Sequence, residues 1–219
     1  MPEFDWDRGL DYAQTREKLR LKMEEIRPEV PADLIPKKRL AQYSILLTQL
    51  VNATRVSEAF DGVHGWAVSG LREQQVNVRK RGKVMKCLEC NGVYSMRSTD
   101  HGPKKHTKLS GHNKFSEPYE KPDPRLVVIP PECLQSDLPY VREAFDRGIS
   151  VDSTKMFALR QMHFNTHSLR YAQISHLTEG GKPAQMVAKI THHKSMDFIL
   201  HYTQQKAADA ELRKQVSGQ

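Results

Sequence analysis

Residues 10 to 27, LDYAQTREKLRLKMEEIR, set Leu10, Leu19, Leu21, Met23 and Ile26 among polar neighbours with no internal glycine or proline, which predicts a helix. Pro28, Pro31 and Pro36 then break the chain into an expected linker. A second helix is expected from about Arg39 to Phe60, where Leu40, Tyr43, Leu46, Leu47, Leu50 and Val51 recur at spacings of three and four, with Gly62 and Gly65 ending it. Short alternating or β-branched runs follow at Val63 to Val68, Gln75 to Arg81 and Arg125 to Ile129. The last two read as arms of a hairpin whose connection is lengthened by the segment from Val84 to Pro124, which is too long for an ordinary turn. Further helices are expected at about Tyr140 to Arg147, Ser153 to Met162, Thr166 to Glu179, Pro183 to Ile190 and Ser195 to Ala210. No internal repeat is visible. The pattern gives an α+β class, mainly helical with a small antiparallel sheet.

Composition changes this picture in two places. The 219 residues suffice for one domain with an appendage, and the apolar runs reach only four or five residues, so neither a membrane-spanning helix nor a secretory segment is expected. The formal net charge is +8, and residues 76 to 125 carry twelve basic against five acidic side chains, nearly the whole excess. The first 33 residues are net acidic, nine against six. A concentrated basic block favours a polyanion partner, because neutralising closely spaced phosphates releases counterions; a solvated surface loop is the alternative.

The three cysteines cannot build a disulfide framework, and two of them form Cys87-x2-Cys90, a spacing typical of metal sites. The compartment is therefore expected to be reducing and intracellular. Two tetrads are open: Cys87, Cys90, His106 and His112, or Cys87, Cys90, His101 and His106. Two thiolates and two imidazoles suit tetrahedral Zn²⁺, whose binding could fold a segment with few apolar residues. The first tetrad, with Tyr94 after the knuckle and Leu109 between its histidines, resembles zinc fingers of the H-x5-H type with a longer central spacing.

Thr166-His-Ser-Leu-Arg170 opens a helix with Thr166 as its expected N-cap, and His167 and Arg170 share a face near the positive end of that helix. His193 lies twenty-three residues after Arg170, and Tyr202 nine after His193. With His176, Leu177 and Gly181 between them, this stretch resembles the C-terminal box of the tyrosine recombinase (phage integrase) family. Asn52-Ala-Thr-Arg-Val-Ser-Glu-Ala59 resembles the family's first box, which maps an arginine to Arg55 and its carboxylate companion to Glu58. Without the family, Arg55 and Glu58 read as an i,i+3 ion pair on a helix.

The resemblance implies a DNA strand-exchange enzyme working through a covalent 3′-phosphotyrosine, without ATP or a catalytic metal. Arg55 and Arg170 would hold the phosphate, Tyr202 would attack, His167 would assist as acid or base, and His193 would orient a phosphate oxygen. The adjacent His192 is a one-residue alternative to His193. A hairpin lysine, Lys80 or Lys83, would protonate the leaving 5′-oxygen. Double-stranded DNA is the implied partner, a tetramer on DNA the implied assembly, and the cytoplasm of a prokaryotic cell, or of the host of a virus or mobile element, the implied location.

The expected organisation is an N-terminal helix and linker at 1–33, a catalytic domain at 34–204, a zinc-finger-like insertion at 84–124 within its β-hairpin, and a tail helix at 205–219. The separate DNA-binding domain that usually precedes the family's catalytic domain is not visible, so either the insertion or a partner is expected to complete the clamp, or the chain is a naturally minimal or a cut-down recombinase. A topoisomerase with the same chemistry and a non-catalytic zinc-containing DNA-binding protein are the alternatives.

Overall fold

The computed structural model describes residues 10–78, 83–96, 102–119, 123–193, 196, 197, 199, 200 and 215. The chain divides into two compact units, one of Met1–Gln74 with Val127–Gln219 and the other of Gln75–Leu126.

The first unit is helical. Helix α1 (Tyr12–Ile26) is capped by Asp11, whose carboxylate accepts from the Gln14 N–H at 2.7 Å, and it buries Leu19, Met23 and Ile26. After a 3-10 turn at Arg27–Glu29, α2 (Leu34–Asn52) starts at Asp33, whose carboxylate accepts from the Ile35 N–H. The proline-broken linker expected here is therefore short. Pro36 stands in the first turn of α2, where its missing N–H has no intrahelical carbonyl to serve. Every residue from Leu40 to Leu50 is buried, so α2 is the central helix, wrapped on all sides.

The expected single helix from Arg39 to Phe60 is two helices. Ala53 adopts the left-handed conformation (φ 49°), its N–H returning to the carbonyls of Gln49 and Leu50, and α3 (Val56–Ser69) begins after Arg55. The strand expected over Val63 to Val68 is the second half of α3. Ala59, Gly62, Val63, Trp66 and Ala67 are buried at helical spacing. Gly62 does not stop this helix, because it lies where the helix meets Val127: a Cβ there would come 2.8 Å from Val127 Cγ1. A glycine chosen for close approach looks, in sequence, like a terminator.

Strand β1 (Glu73–Asn77) pairs with β4 (Pro124–Val128). The Val78 N–H to Asp123 carbonyl bond and the Ile129 N–H to Arg72 carbonyl bond bracket an antiparallel pair, and the unit boundary falls within both strands. Helices α5 (Leu138–Asp146) and α6 (Val151–Phe157) follow, the latter running into a π-helical turn at Ala158–Met162. Helices α7 (Thr166–Glu179) and α8 (Ala184–Thr191) complete the unit. A large core joins α1, α2, α3, α5 and the first half of α7. A smaller cluster of Tyr171, Ile174, Val187, Ala188 and Ile199 joins α7 and α8 to the following segment. Most of the helix expected at Ser195 to Ala210 lies outside the described residues.

In the second unit, β2 (Val84–Lys86) and β3 (Val93–Ser95) form an antiparallel pair with Met85 opposite Tyr94, followed by α4 (Pro103–Ser110). Val84 and Tyr119 exchange backbone hydrogen bonds, which lays the returning chain along β2. Among the described residues, no helix is long and apolar enough to cross a membrane.

The Gly62 contact leads to a test. Gly62→Ala adds helix propensity, but it forces a methyl into Val127. The overpacking dominates, and a stability loss of about 1–2 kcal/mol is expected in urea unfolding.

Candidate functional site

The end of α2 and the start of α3 place Arg55. It is the N-cap of α3, and Glu58, three residues on, is buried to 1% exposure. One carboxylate oxygen of Glu58 accepts from the Arg55 backbone N–H at 3.1 Å and the other from Arg55 Nη1 at 3.0 Å. This is more than the surface ion pair that the spacing alone suggests. A buried carboxylate holds both ends of one arginine, leaving a guanidinium edge at the surface, where the side chain is 36% exposed.

Helix α7 supplies the next groups. Its N-cap is Asn165 rather than the expected Thr166: the Asn165 Oδ1 accepts from the His167 N–H at 2.9 Å. Arg170, one turn in, is buried, and its Nη2 donates to the Thr191 carbonyl at the end of α8. That carbonyl has no partner within its own helix, and the negative end of α8 favours a cation there. Arg170 Nη2 also lies 3.4 Å from both ring nitrogens of His193. His192 is the left-handed C-cap of α8 (φ 53°), so of the two adjacent histidines it is His193 that meets Arg170. Thr191 Oγ1 donates to the Val187 carbonyl at 2.7 Å and lies 2.6 Å from His193 Nδ1. The Thr191 hydroxyl thus bridges the last turn of α8 to the His193 ring and fixes where that ring stands beside Arg170.

His167 stands over this arrangement, its ring edge-on to Tyr171 at 5.7 Å. Burial lowers its pKa below the ordinary histidine value, and the positive charges of Arg170 and Arg55 lower it further. The imidazole is therefore neutral at pH 7 and able to accept a proton. Beside it a groove of about 460 Å³ is lined by Arg55, Val56, Ser57, Val151, Lys155, Met156, Leu159, Asn165, Thr166 and His167. The structure thus brings Arg55, Glu58, His167, Arg170 and His193 together in the first unit. Tyr202, Lys80 and His101 lie outside the described residues. Lys83 is exposed in the second unit.

Sequence reasoning missed the residues that fix this geometry. Gln49 of α2 donates to the Thr166 carbonyl at 2.8 Å, and Gln173 of α7 donates to the Val51 carbonyl at 3.1 Å, each helix reaching into the other. Asn52 donates to the Val128 carbonyl at 2.8 Å and accepts from the Val128 N–H at 2.9 Å, pairing with β4 as a strand would. The signal available in sequence was polar residues interrupting the apolar faces of two otherwise buried helices.

In the second unit, Cys87, Cys90, His106 and His112 offer four donor atoms within 4.8 Å of one another. Cys90 Sγ lies 3.4 Å from His106 Nε2, and Cys87 Sγ lies 3.8 Å from His112 Nδ1. The edges of a tetrahedron with ordinary metal–thiolate and metal–imidazole bonds are about 3.3–3.8 Å, so the donors are placed to hold a metal ion. The knuckle is shaped by its backbone: Asn91 is left-handed (φ 60°), and the Cys87 N–H bonds the Gly92 carbonyl. A backbone hydrogen bond at Gly92, followed by His112, draws the Cys90 thiol down to about 6, towards the thiolate that a metal requires. Glu89 accepts from the N–H groups of Asn113 and Lys114, tying the loop that carries His112 to the knuckle. Tyr94 stacks on His106 with centroids 4.2 Å apart.

Protonation of His167 would add a third positive charge beside two guanidiniums. Its titration midpoint, read by NMR, is therefore expected below 6.5, the value of a free imidazole. In Arg55→Gln the midpoint should move upward; no movement would show that Arg55 does not act on it.

Three relatives match nearly the whole chain. Two bear the name "putative integrase": one from Acidianus two-tailed virus is 29% identical over 95% of this chain and 68% of its own length, and one from Sputnik virophage is 28% identical over 93% and 87%. An uncharacterized protein of Methanocaldococcus jannaschii is 28% identical over 95% of this chain and 87% of its own. No family model matches the chain, and no solved structure matches it.

Proposed function

We propose that this chain is a site-specific DNA recombinase of the tyrosine type, an integrase acting on double-stranded DNA. The observation that carries this reading is the gathering of Arg55, His167, Arg170 and His193, from segments up to 138 residues apart, into one cluster of which Arg55 and His167 line a groove and Arg170 is buried. The integrase names of relatives that match nearly the whole chain support the same reading.

In the proposed reaction the phosphate lies against Arg55 and Arg170, whose planar donors meet the charge that grows on its non-bridging oxygens. The Tyr202 oxygen attacks phosphorus, forming a 3′-phosphotyrosine as the P–O5′ bond breaks. His167, neutral at working pH, takes the phenolic proton, and Lys80 or Lys83 protonates the departing 5′-oxygen. Attack by a 5′-hydroxyl reverses each step. The phosphodiester bond energy is kept, so neither ATP nor a metal is needed for rejoining. His193 orients a phosphate oxygen, and a tetramer on DNA would supply the second pair of strands.

The ion held by Cys87, Cys90, His106 and His112 is proposed to be zinc in a structural role. Among the described residues of the second unit only Val76, Val78, Cys87, Gly102 and Arg125 are buried, too little apolar surface to hold a fold. Lys104, Lys105 and Lys108, exposed on α4, would contact phosphates without reading bases.

Two outcomes test these proposals. Incubated with nicked DNA carrying the attachment sequence of its element, the protein should form a covalent adduct that Tyr202→Phe abolishes, and Arg170→Ala should slow its formation by on the order of 10²–10³. Relaxation of supercoils without sequence preference would point to a topoisomerase instead. The purified chain should hold one zinc, and Cys87→Ser with Cys90→Ser should release it. Amide protection over 84–119 should then be lost while that of α2 persists; full protection without metal would overturn the structural role.

A further inference from the structure

The groove beside Arg55 and His167 holds more than a phosphate requires. Its volume of about 460 Å³ falls among sites that enclose small organic ligands. Val56, Val151, Met156 and Leu159 give it an apolar side, whereas Arg55 and Lys155 give it a cationic one, with the neutral imidazole of His167 beside them. Met156 is 42% and Leu159 50% exposed, in a unit that buries most of its large apolar side chains. Leu159 lies in the π-helical turn, a distortion that concentrates at functional sites. Phosphate oxygens would occupy the cationic side and leave the apolar side in water.

A DNA strand supplies the missing partner. On the reading that Arg55 and His167 hold the phosphate that is cleaved, we propose that the groove is a subsite for one unstacked nucleotide next to that phosphate. The base lies on Met156 and Leu159, where a polarisable thioether suits a ring face, and Lys155 meets the outer phosphate. Lys155 now pairs with Asp152 at 2.8 Å, but the aspartate side chain is 88% exposed, and such a pair exchanges readily for a phosphate. The contacts follow shape and not base-edge hydrogen bonds, so the subsite tolerates any base.

The test is a cycle of protein and DNA variants read by equilibrium binding, which needs no cleavage. Wild-type protein and the double variant Met156→Ala, Leu159→Ala are titrated with nicked duplexes that are intact or carry a single abasic nucleotide on either side of the scissile phosphate. At one of these positions the abasic site should weaken wild-type binding about tenfold or more and leave the double variant unchanged. A 2-aminopurine placed there should brighten on binding wild type only, and Met156→Leu should retain the effect. Equal abasic penalties in the two proteins, or none in the wild type at either position, overturn the subsite. If the wild type forms its covalent adduct while the cycle shows no coupling, the subsite alone fails. If binding shows coupling and no adduct forms, the recombinase reading fails alone.

Discussion

The first unit depends on how the carboxyl end of α2 is closed. A helix ending inside a protein leaves its last carbonyls without N–H partners, and each needs one from elsewhere. Here the chain turns through a left-handed Ala53, which returns its N–H to Gln49 and Leu50, and the amide of Gln173 reaches from α7 to the Val51 carbonyl. Asn52, the last residue, pairs with Val128 in β4. Three elements, α3, α7 and β4, are thereby tied to one helix end. Arg55 comes two residues after the turn, and His167 and Arg170 lie on the helix that Gln173 belongs to. The candidate site is a consequence of this closure.

Stability alone does not account for the residues that make it. A buried hydrogen bond contributes about 1 kcal/mol net, and a buried polar atom left without a partner costs about 1–3 kcal/mol. Gln49 Oε1 and Gln173 Oε1 are both buried with no hydrogen-bond partner among the described residues. Leucine or methionine at either position would remove that orphan oxygen but leave the Thr166 or Val51 carbonyl without its donor, so the net stability gain of the glutamine is small. What the glutamines provide is a fixed relation between the start of α7 and the end of α2, since each donates across the interface to the other helix. Such fixed relations matter where a proton or phosphate must be met within a fraction of an ångström.

Helix α8, which buries one face through Val187, Ala188 and Thr191, lies one residue from its expected bounds, and α7, although buried on all sides from Ser168 to Ser175, matches its own. The break at Ala53 was not legible in the sequence, because an alanine in the left-handed region carries no compositional mark. Gly62 misled for the converse reason: glycine stands there for contact with Val127 and not for a turn. At the candidate site, helical spacing puts His167 and Arg170 on one face of α7, whereas His193, beyond the end of α8, was picked out by the family resemblance and not by any local period. The Gln49–Thr166 and Gln173–Val51 bonds span 117 and 122 residues, and no local pattern records such pairings. Of the two metal tetrads left open by spacing, the one with His112 is brought together, and His101 of the other lies outside the described residues.

The two units solve different physical problems with the same kind of charge. In the second, lysines of α4 stand exposed on a small scaffold with almost no core, and nearly all of the +8 net charge lies in residues 76 to 125. Exposed lysines are screened and mobile, suited to long-range attraction and indifferent to geometry. In the first, Arg55 is held by buried Glu58 and Arg170 by the carbonyl end of α8, each fixed by hydrogen bonds in a unit close to neutral. Directional guanidiniums are the groups that can match a phosphate as its charge changes. On the proposed reading, affinity and chemistry are therefore separable. Loss of lysines from α4 should act on encounter and salt dependence, and loss of Arg55 or Arg170 on the reaction itself.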